Sequence, residues 1–161
     1  MSTGSNDFAS PEAKAFWDSI AGTLDSLVGT LEGLSDAQLD WRPPAPDTNS
    51  LDVLVTHTLG NVNESVLEIF GGQQVHRDRD SEFRAQASGN AAQQLQERWQ
   101  QLRPRAEAVL AALTPEELHR SYSHPRRGQI GGYDVLLLVA THAAQHLGHA
   151  ELTRDLLRAQ G

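Results

Sequence analysis

The chain of 161 residues contains 39% hydrophobic and 21% charged residues, which predicts a globular protein with a packed core and argues against wholesale disorder. It contains no cysteine, so disulfides, thiolate metal ligands and a thiol nucleophile of its own are excluded. Its formal net charge of -8 is expected to repel phosphate backbones and anionic lipids, which predicts no nucleic-acid and no membrane partner.

No segment has the pattern of a membrane span or an export signal. The longest apolar run, Val135–Ala140, falls far short of the about 18 residues that cross a bilayer. Residues 1–10 lack the basic and then apolar pattern of a secretory signal. These features predict a cytoplasmic protein.

Four long helices are predicted along the chain. Residues 1–9 are small and polar, and they predict a flexible arm before a single domain over residues 10–161. The first helix covers about residues 11–34, because Ser10 can cap it and Pro11 suits the first helical position. Apolar residues then recur every three or four positions, as they do on one buried helical face.

The other three long helices carry similar signals. The second begins after Ser50 and ends at a Gly-Gly pair, which can adopt the left-handed backbone of a helix end. The third covers about residues 90–113, and Pro104 within it predicts a kink or a break. The last runs from about residue 133 or 134 to 158, with Asp134 as its predicted N-cap.

The segments between the long helices are assigned from their turn-forming residues. Residues 35–49 are rich in proline and predict a connector, and residues 73–89 form a polar link longer than the about two to eight residues usual in bundles. The motif TPEE at 114–117 predicts one short helical turn, whereas residues 121–132 predict a loop. No strand pattern is found, so the sequence predicts an all-α four-helix bundle.

Three histidines of the last predicted helix share its apolar face. His142, His146 and His149 lie within the arc of valines and leucines that should face the core. A buried imidazole left without partners costs about 1–3 kcal/mol. His142 and His146 stand one turn apart, the spacing by which a helix presents two nitrogen ligands to one metal ion. A hydrogen-bonded core pair or a surface pair would show the same spacing, so these explanations stay open.

A third candidate ligand, His57, is the only histidine of the first three predicted helices. It lies at the same depth along the bundle as His142 and His146. Its side chain, however, points about 130° away from the centre of its own helix's apolar face, among Asn61 and Glu64. From periodicity alone, His57 is either a metal ligand or a solvated surface residue.

Several short motifs, in order along nearly the whole chain, resemble the DinB-like superfamily. They are LDWRPP at 39–44, NSL at 49–51, HTL at 57–59 and HAAQHLG at 142–148, followed by Leu152 and Arg154. The resemblance implies a four-helix bundle in up-down-down-up order, which the long 73–89 link would permit. It also implies a metal ion held by His57, His142 and His146.

A site of three nitrogen ligands leaves coordination positions open for water or a thiol. Imidazole suits several divalent transition metals, and among them we expect zinc ahead of nickel. A bound cation lowers the pKa of water and deprotonates a thiol, so either could serve as a nucleophile at neutral pH. The resemblance implies the second use, since some relatives activate low-molecular-weight thiols such as bacillithiol or mycothiol.

Other polar and aromatic residues are candidates for the same site. Glu64 is either a general base or an exposed helix charge, and His149 either supports a ligand or binds the metal itself, the first being favoured. Arg126 and Arg127 could hold a carboxylate of the thiol cofactor or be merely solvated. Trp41 could form a wall of the substrate cleft or a hydrophobic lid on the bundle. The three remaining histidines are expected at the surface: His76, His119 and His124.

Two classes of function are consistent with these features. The first is a metal-dependent enzyme that transfers a small thiol to an electrophilic substrate or isomerises it, with hydrolysis by metal-bound water as a variant. The second is a bundle, with or without metal, that acts by association in a stress response without turnover. A small-molecule substrate and a thiol are the expected partners, and a homodimer is left open. A cleft open to the histidines would favour the enzyme.

Overall fold

The computed structural model describes residues 7–160, which are mostly helical and include one small two-stranded sheet. The elements in chain order are α1 (Pro11–Gly29), α2 (Asp36–Asp40), α3 (Leu51–Val62), a π-helical segment (Asn63–Phe70), α4 (Arg79–Glu82), α5 (Ala91–Ala112), α6 (Pro115–Leu118), β1 (Ser121–His124), β2 (Gly128–Gly131) and α7 (Gly132–Ala159). Residues 1–6 of the predicted arm and residue 161 lie outside the described part.

Four long helical segments correspond to the four predicted helices. They are α1, α3 with its π-helical continuation, α5 and α7. Helix α1 packs against α5 and α7, while α3 packs against α7 and α5. Their apolar faces meet in one core whose largest fully buried side chains include Ile20, Leu24, Leu27, Leu59, Leu67, Leu110 and Leu136.

Helix ends follow the predicted caps where a side-chain oxygen accepts from the first turn. The hydroxyls of Ser10, Ser50 and Thr114 each accept a hydrogen bond from the backbone N–H three residues later. Helix α1 ends at Gly29, five residues before the predicted end, and a turn closes at Gly33 with a φ of 73°. Pro104 lies inside α5 without breaking it.

The predicted loop over residues 121–132 is wrong, because these residues form an antiparallel hairpin. Its strands pair from Ser121 with Gly131 to His124 with Gly128. Gly128 has a φ of 71°, which lets the chain turn within three residues. Strands of four residues joined by so short a turn give too few positions for a period-two pattern to be detected.

Helix α7 begins at Gly132, and Gly131 rather than Asp134 is its N-cap. A Cβ at position 132 would lie 2.7 Å from the carbonyl oxygen of Leu118. Glycine therefore allows the start of α7 to pack directly against α6. Asp134 lies in the first turn, where its charge favours the positive helix end.

Both predicted connectors contain a short helix. Ser35 and Gln38 form a capping box at the start of α2, and Asp78 caps α4. Helix α4 packs against α3 and so covers the side of α3 that periodicity assigns to solvent. Within residues 7–160, no helix combines the length and apolar character needed to cross a membrane.

Replacing the cap of α3 tests this assignment of the helix start. The Ser50→Ala variant loses the hydroxyl that accepts from the Val53 N–H, and we expect it to destabilise the protein by about 1 kcal/mol. Urea denaturation followed by circular dichroism measures the change. Ser26→Ala, on the exposed face of α1, is the matched control and should change stability by less than about 0.5 kcal/mol. Equal stabilities of the two variants would contradict the cap.

Candidate metal centre

Helices α3 and α7 bring three histidine side chains together. The Nε2 atom of His57 lies 3.0 Å from Nε2 of His142, which in turn lies 3.1 Å from Nε2 of His146. Each of the three histidines offers a ring nitrogen to a cluster of candidate ligand atoms that lie within 4.8 Å of one another. The group could therefore bind a metal ion, as the family resemblance implied for these three residues.

His57 is buried, although it lies on the side of α3 that points away from the apolar face. Its exposed fraction is 5%, because the link after the π-helical segment folds back over this side. The Phe83 ring packs against the imidazole with centroids 4.6 Å apart. The alternative of a solvated surface histidine is thus wrong, and its burial depends on a segment distant in sequence.

A carboxylate from the same link orients the His57 ring. Glu82 lies 2.8 Å from the Nδ1 of His57, and Arg77 donates to both oxygens of that carboxylate at 2.8 and 2.9 Å. Burial raises the pKa of Glu82, but hydrogen bonds and charges of His57 and Arg77 outweigh it and hold the pKa below its ordinary value. Since an ionised carboxylate only accepts, Nδ1 carries a proton, and in the neutral ring Nε2 then has the lone pair.

Gly60 leaves room for the Glu82 carboxylate beside α3. A Cβ at position 60 would overlap the carboxylate of Glu82 and approach the Arg77 side chain. The carboxylate can therefore lie directly on the backbone of α3, one turn after His57. A side chain at position 60 would force the Glu82 carboxylate to move from this position.

The other two histidines are held in their neutral form. Burial, followed by the charges of neighbouring histidines, lowers the pKa of His142 to about 3 and that of His146 to about 4. Their Nδ1 atoms are buried and have no hydrogen-bond partner among the described residues. At neutral pH both rings therefore retain a lone pair for a ligand or a cation.

The donor set fits a divalent transition metal. With its proton on Nδ1, the neutral His57 ring can only accept at Nε2. If His142 carries a proton on its Nε2, it can donate that proton to Nε2 of His57 or to Nε2 of His146, but not to both. One cation would accept a lone pair from each of the three rings, so no proton would be needed between the nitrogens. The residues present are therefore suited to an imidazole-bound metal ion.

Glu64 is neither an exposed charge nor an unpaired base. It is 4% exposed and pairs with Arg77 at 3.0 Å and with Arg126, whose Nη1 donates at 3.0 Å. Burial raises the pKa of Glu64, but the two arginines outweigh it and keep the pKa below its usual value. Its carboxylate is committed to binding arginines, so a general-base role finds no support in this geometry.

A cavity of about 450 Å³ opens onto the histidines. Its lining includes His57 and His142, but not His146, together with Arg126 and Arg127 from the hairpin turn. The apolar core therefore does not close over the cluster. Trp41 is half-buried in the connector and does not line this cavity.

His149 lies next to the cluster but outside it. It is exposed, with its ring centroid 5.6 Å from that of His146. Among the predicted surface histidines, His76 and His119 are exposed, whereas His124 is 6% exposed and lines the cavity. The prediction for His124 is thus wrong, because the hairpin folds its ring inward.

Sequence reasoning missed three residues of this region: Arg77, Glu82 and His124. Arg77 and Glu82 lie in a polar link that has no period, so no face could be assigned to them. The one available signal was the length of the link, which exceeds what is needed to join two neighbouring helices.

A family model described as the DinB superfamily matches residues 20–150. A conserved protein of a locus from Enterococcus faecalis is 16% identical, with a TM-score of 0.70 over 91% of this chain and 96% of that chain. A DinB-like protein from Bacillus cereus ATCC 10987 is also 16% identical, with a TM-score of 0.68 over 89% and 91%. No curated protein matches the sequence.

A third solved structure corrects the expected partners. The colibactin self-resistance protein ClbS, crystallised in complex with a dsDNA, is 14% identical, with a TM-score of 0.61 over 96% of this chain and 98% of that chain. The expectation of no nucleic-acid partner is therefore wrong, since it rested on a net charge of -8 that averages over the whole surface. A local group of arginines can attract phosphate whatever the total charge is.

Acidification should destabilise the metal-free protein. Unfolded histidine titrates at about 6.5, well above the folded pKa of about 3 for His142 and about 4 for His146. Below about pH 6.5 the unfolded chain binds protons that the folded chain refuses, so stability falls as the pH falls towards the folded pKa values. We expect a lower urea midpoint at about pH 5 than at about pH 7, a window in which ordinary carboxylates stay ionised.

The His142→Phe/His146→Phe double variant isolates the source of this dependence. It should lose much less stability over the same pH interval, because the two depressed pKa values are gone. A midpoint that falls equally in both proteins would assign the effect to other groups.

Proposed function

The chain belongs to the DinB superfamily, and on that premise we propose that it is a metal-dependent enzyme acting with a low-molecular-weight thiol. In this proposal His57, His142 and His146 bind the metal, and the thiol is transferred to a small electrophilic substrate or supports its isomerisation. The convergence of three histidine nitrogens at an open cavity carries the proposal. Zinc is the favoured metal and nickel the next.

Neighbouring residues and burial influence the protonation of the three histidines before any ligand binds. Glu82 holds a proton of His57 on Nδ1, and burial keeps His142 and His146 neutral, so each of these two rings has one nitrogen lone pair to offer a ligand. A bound divalent cation supplies the ability to deprotonate a thiol at neutral pH. The chain has no cysteine, so the thiol would come from solution through the cavity.

The open cavity favours turnover over a purely associative role. A bundle that acts by association alone has no need of a 450 Å³ cavity beside its histidines. Hydrolysis by metal-bound water is the alternative reaction at the same three ligands, and it differs in requiring no thiol. The dsDNA in the ClbS crystal makes nucleic acid a further ligand to test.

We also propose that residues 10–161 form one domain, a four-helix bundle in up-down-down-up order. The packing of α1 against both α5 and α7 around a shared core supports this arrangement. The 73–89 link is long enough to return the chain along the bundle before α5 begins.

Metal binding through the three histidines is directly measurable. We expect the wild-type protein to bind about one zinc or nickel ion per chain, and His57→Ala, His142→Ala and His146→Ala each to weaken binding severely. Isothermal titration calorimetry of metal-free protein gives the affinities. The matched control is His76→Ala, which removes an exposed imidazole and should bind metal as the wild type does.

Glu82→Gln tests the orientation of His57 separately. Loss of the carboxylate should weaken metal binding by about 10–100-fold, less than loss of a ligand, because the ring stays in place but its tautomer is no longer fixed. Zinc affinity of His57→Ala equal to that of the wild type would refute the three-histidine site.

Turnover should require both metal and thiol. With a panel of thiols and electrophiles, we expect product only when both are present, and none with His146→Ala although its helical circular dichroism is preserved. Full activity without thiol would instead identify a hydrolase. If zinc binds tightly but no pair reacts, the associative function is favoured.

A further inference from the structure

The cavity has an arginine wall, formed by Arg77, Arg79, Arg126 and Arg127. Four arginines line the cavity, and among the described residues no carboxylate does. Behind this wall, Glu64 pairs with Arg77 and Arg126, and Glu82 pairs with Arg77. Two carboxylates therefore face four guanidinium groups, which leaves a local excess of positive charge in an acidic protein.

The two remaining arginines carry this excess. Arg79 and Arg127 form no ion pair with any residue between 7 and 160. Arg79 lies over the Phe83 ring at 5.0 Å, and Arg127 belongs to the hairpin turn. Both guanidinium groups line the cavity with donors available to a ligand.

The buried ring of His124 adds a neutral donor to the same wall. Its Nδ1 accepts from the backbone N–H of Arg126 at 3.1 Å, so the proton of the neutral ring is on Nε2. Burial, together with the charge of Arg126, lowers the pKa of His124 and keeps this tautomer neutral. No described residue accepts from its Nε2, which leaves that N–H for a molecule in the cavity.

We propose that Arg79, Arg127 and His124 form a subsite for an oxyanion, a carboxylate or phosphate carried by a small molecule that also reaches the three histidines. Guanidinium and imidazole N–H groups are the donors that recognise such oxygens. The arginines line a concave cavity of small-molecule size, which favours a small molecule as the ligand. For its catalytic use the subsite rests on the proposed function.

Asn61 completes the polar lining between the subsite and the histidines. Its Oδ1 is buried and has no partner within the described residues, although the side chain lines the cavity. A neutral amide at this position can bind the part of the ligand that carries no charge. The lining therefore offers a neutral polar group in addition to its charged donors.

Phosphate binding to the metal-free protein tests the subsite independently of the metal. Inorganic phosphate is titrated into labelled protein, and the NMR signals of the His124 ring and the arginine side chains are followed. We expect saturable shifts, and an Arg79→Gln/Arg127→Gln variant should bind phosphate at least about tenfold more weakly. The control, Arg158→Gln in the last turn of α7, removes a charge outside the cavity and should bind as the wild type does.

Three results would overturn the proposal. They are shifts that do not saturate, equal weakening by the cavity and control variants, and a short DNA duplex that binds through the same arginines more tightly than phosphate does. Zinc affinity measured on the same variants keeps the two proposals apart. Intact zinc binding without phosphate binding rejects the subsite alone, whereas phosphate binding without zinc binding rejects the metal centre alone.

Discussion

The hydrogen bond between Glu82 and His57 is the interaction on which the rest of the site depends. It joins a link residue to a helix residue 25 positions earlier and closes the outward side of α3. Without it, the tautomer of the His57 ring would no longer be fixed. With it, the ring is buried in one tautomer, and its free nitrogen meets two neutral histidines from α7.

The same link also connects the candidate metal centre to the arginine wall through ion pairs. Arg77 binds both Glu64 and Glu82, and Arg126 from the hairpin binds Glu64, so the link, the π-helical segment and the hairpin are joined by one ion-pair network in which only Arg126 is exposed. Removal of one partner would leave a buried charge uncompensated, which is the costly case for such networks. The network therefore determines the shape of the cavity as well as its charge.

Local signals were sufficient to predict the four long helices and the Ser10 and Ser50 caps, but not the Gly131 cap of α7 or the burial of His57. Ser50 caps α3 through a bond to a residue three positions away, so the sequence around it contains the whole interaction. His142 and His146 were predicted as a pair for the same reason, since their spacing within one helix sets their geometry. The membership of His57 in the site followed from family resemblance and not from periodicity, because the Glu82 that buries it lies in a segment with no repeating pattern. The hairpin was missed because its strands are only four residues long.

The 73–89 link matters for any attempt to re-engineer the chain. Long polar connections are the usual places for inserted domains, affinity tags or new chain termini, because most of them tolerate such changes. Here the link contributes Arg77 and Arg79 to the lining of the cavity and Glu82 to the hydrogen bond with His57. Gly60 on α3 leaves room for the Glu82 carboxylate. A circular permutant opened in this link could retain its four long helices and still lose the cavity.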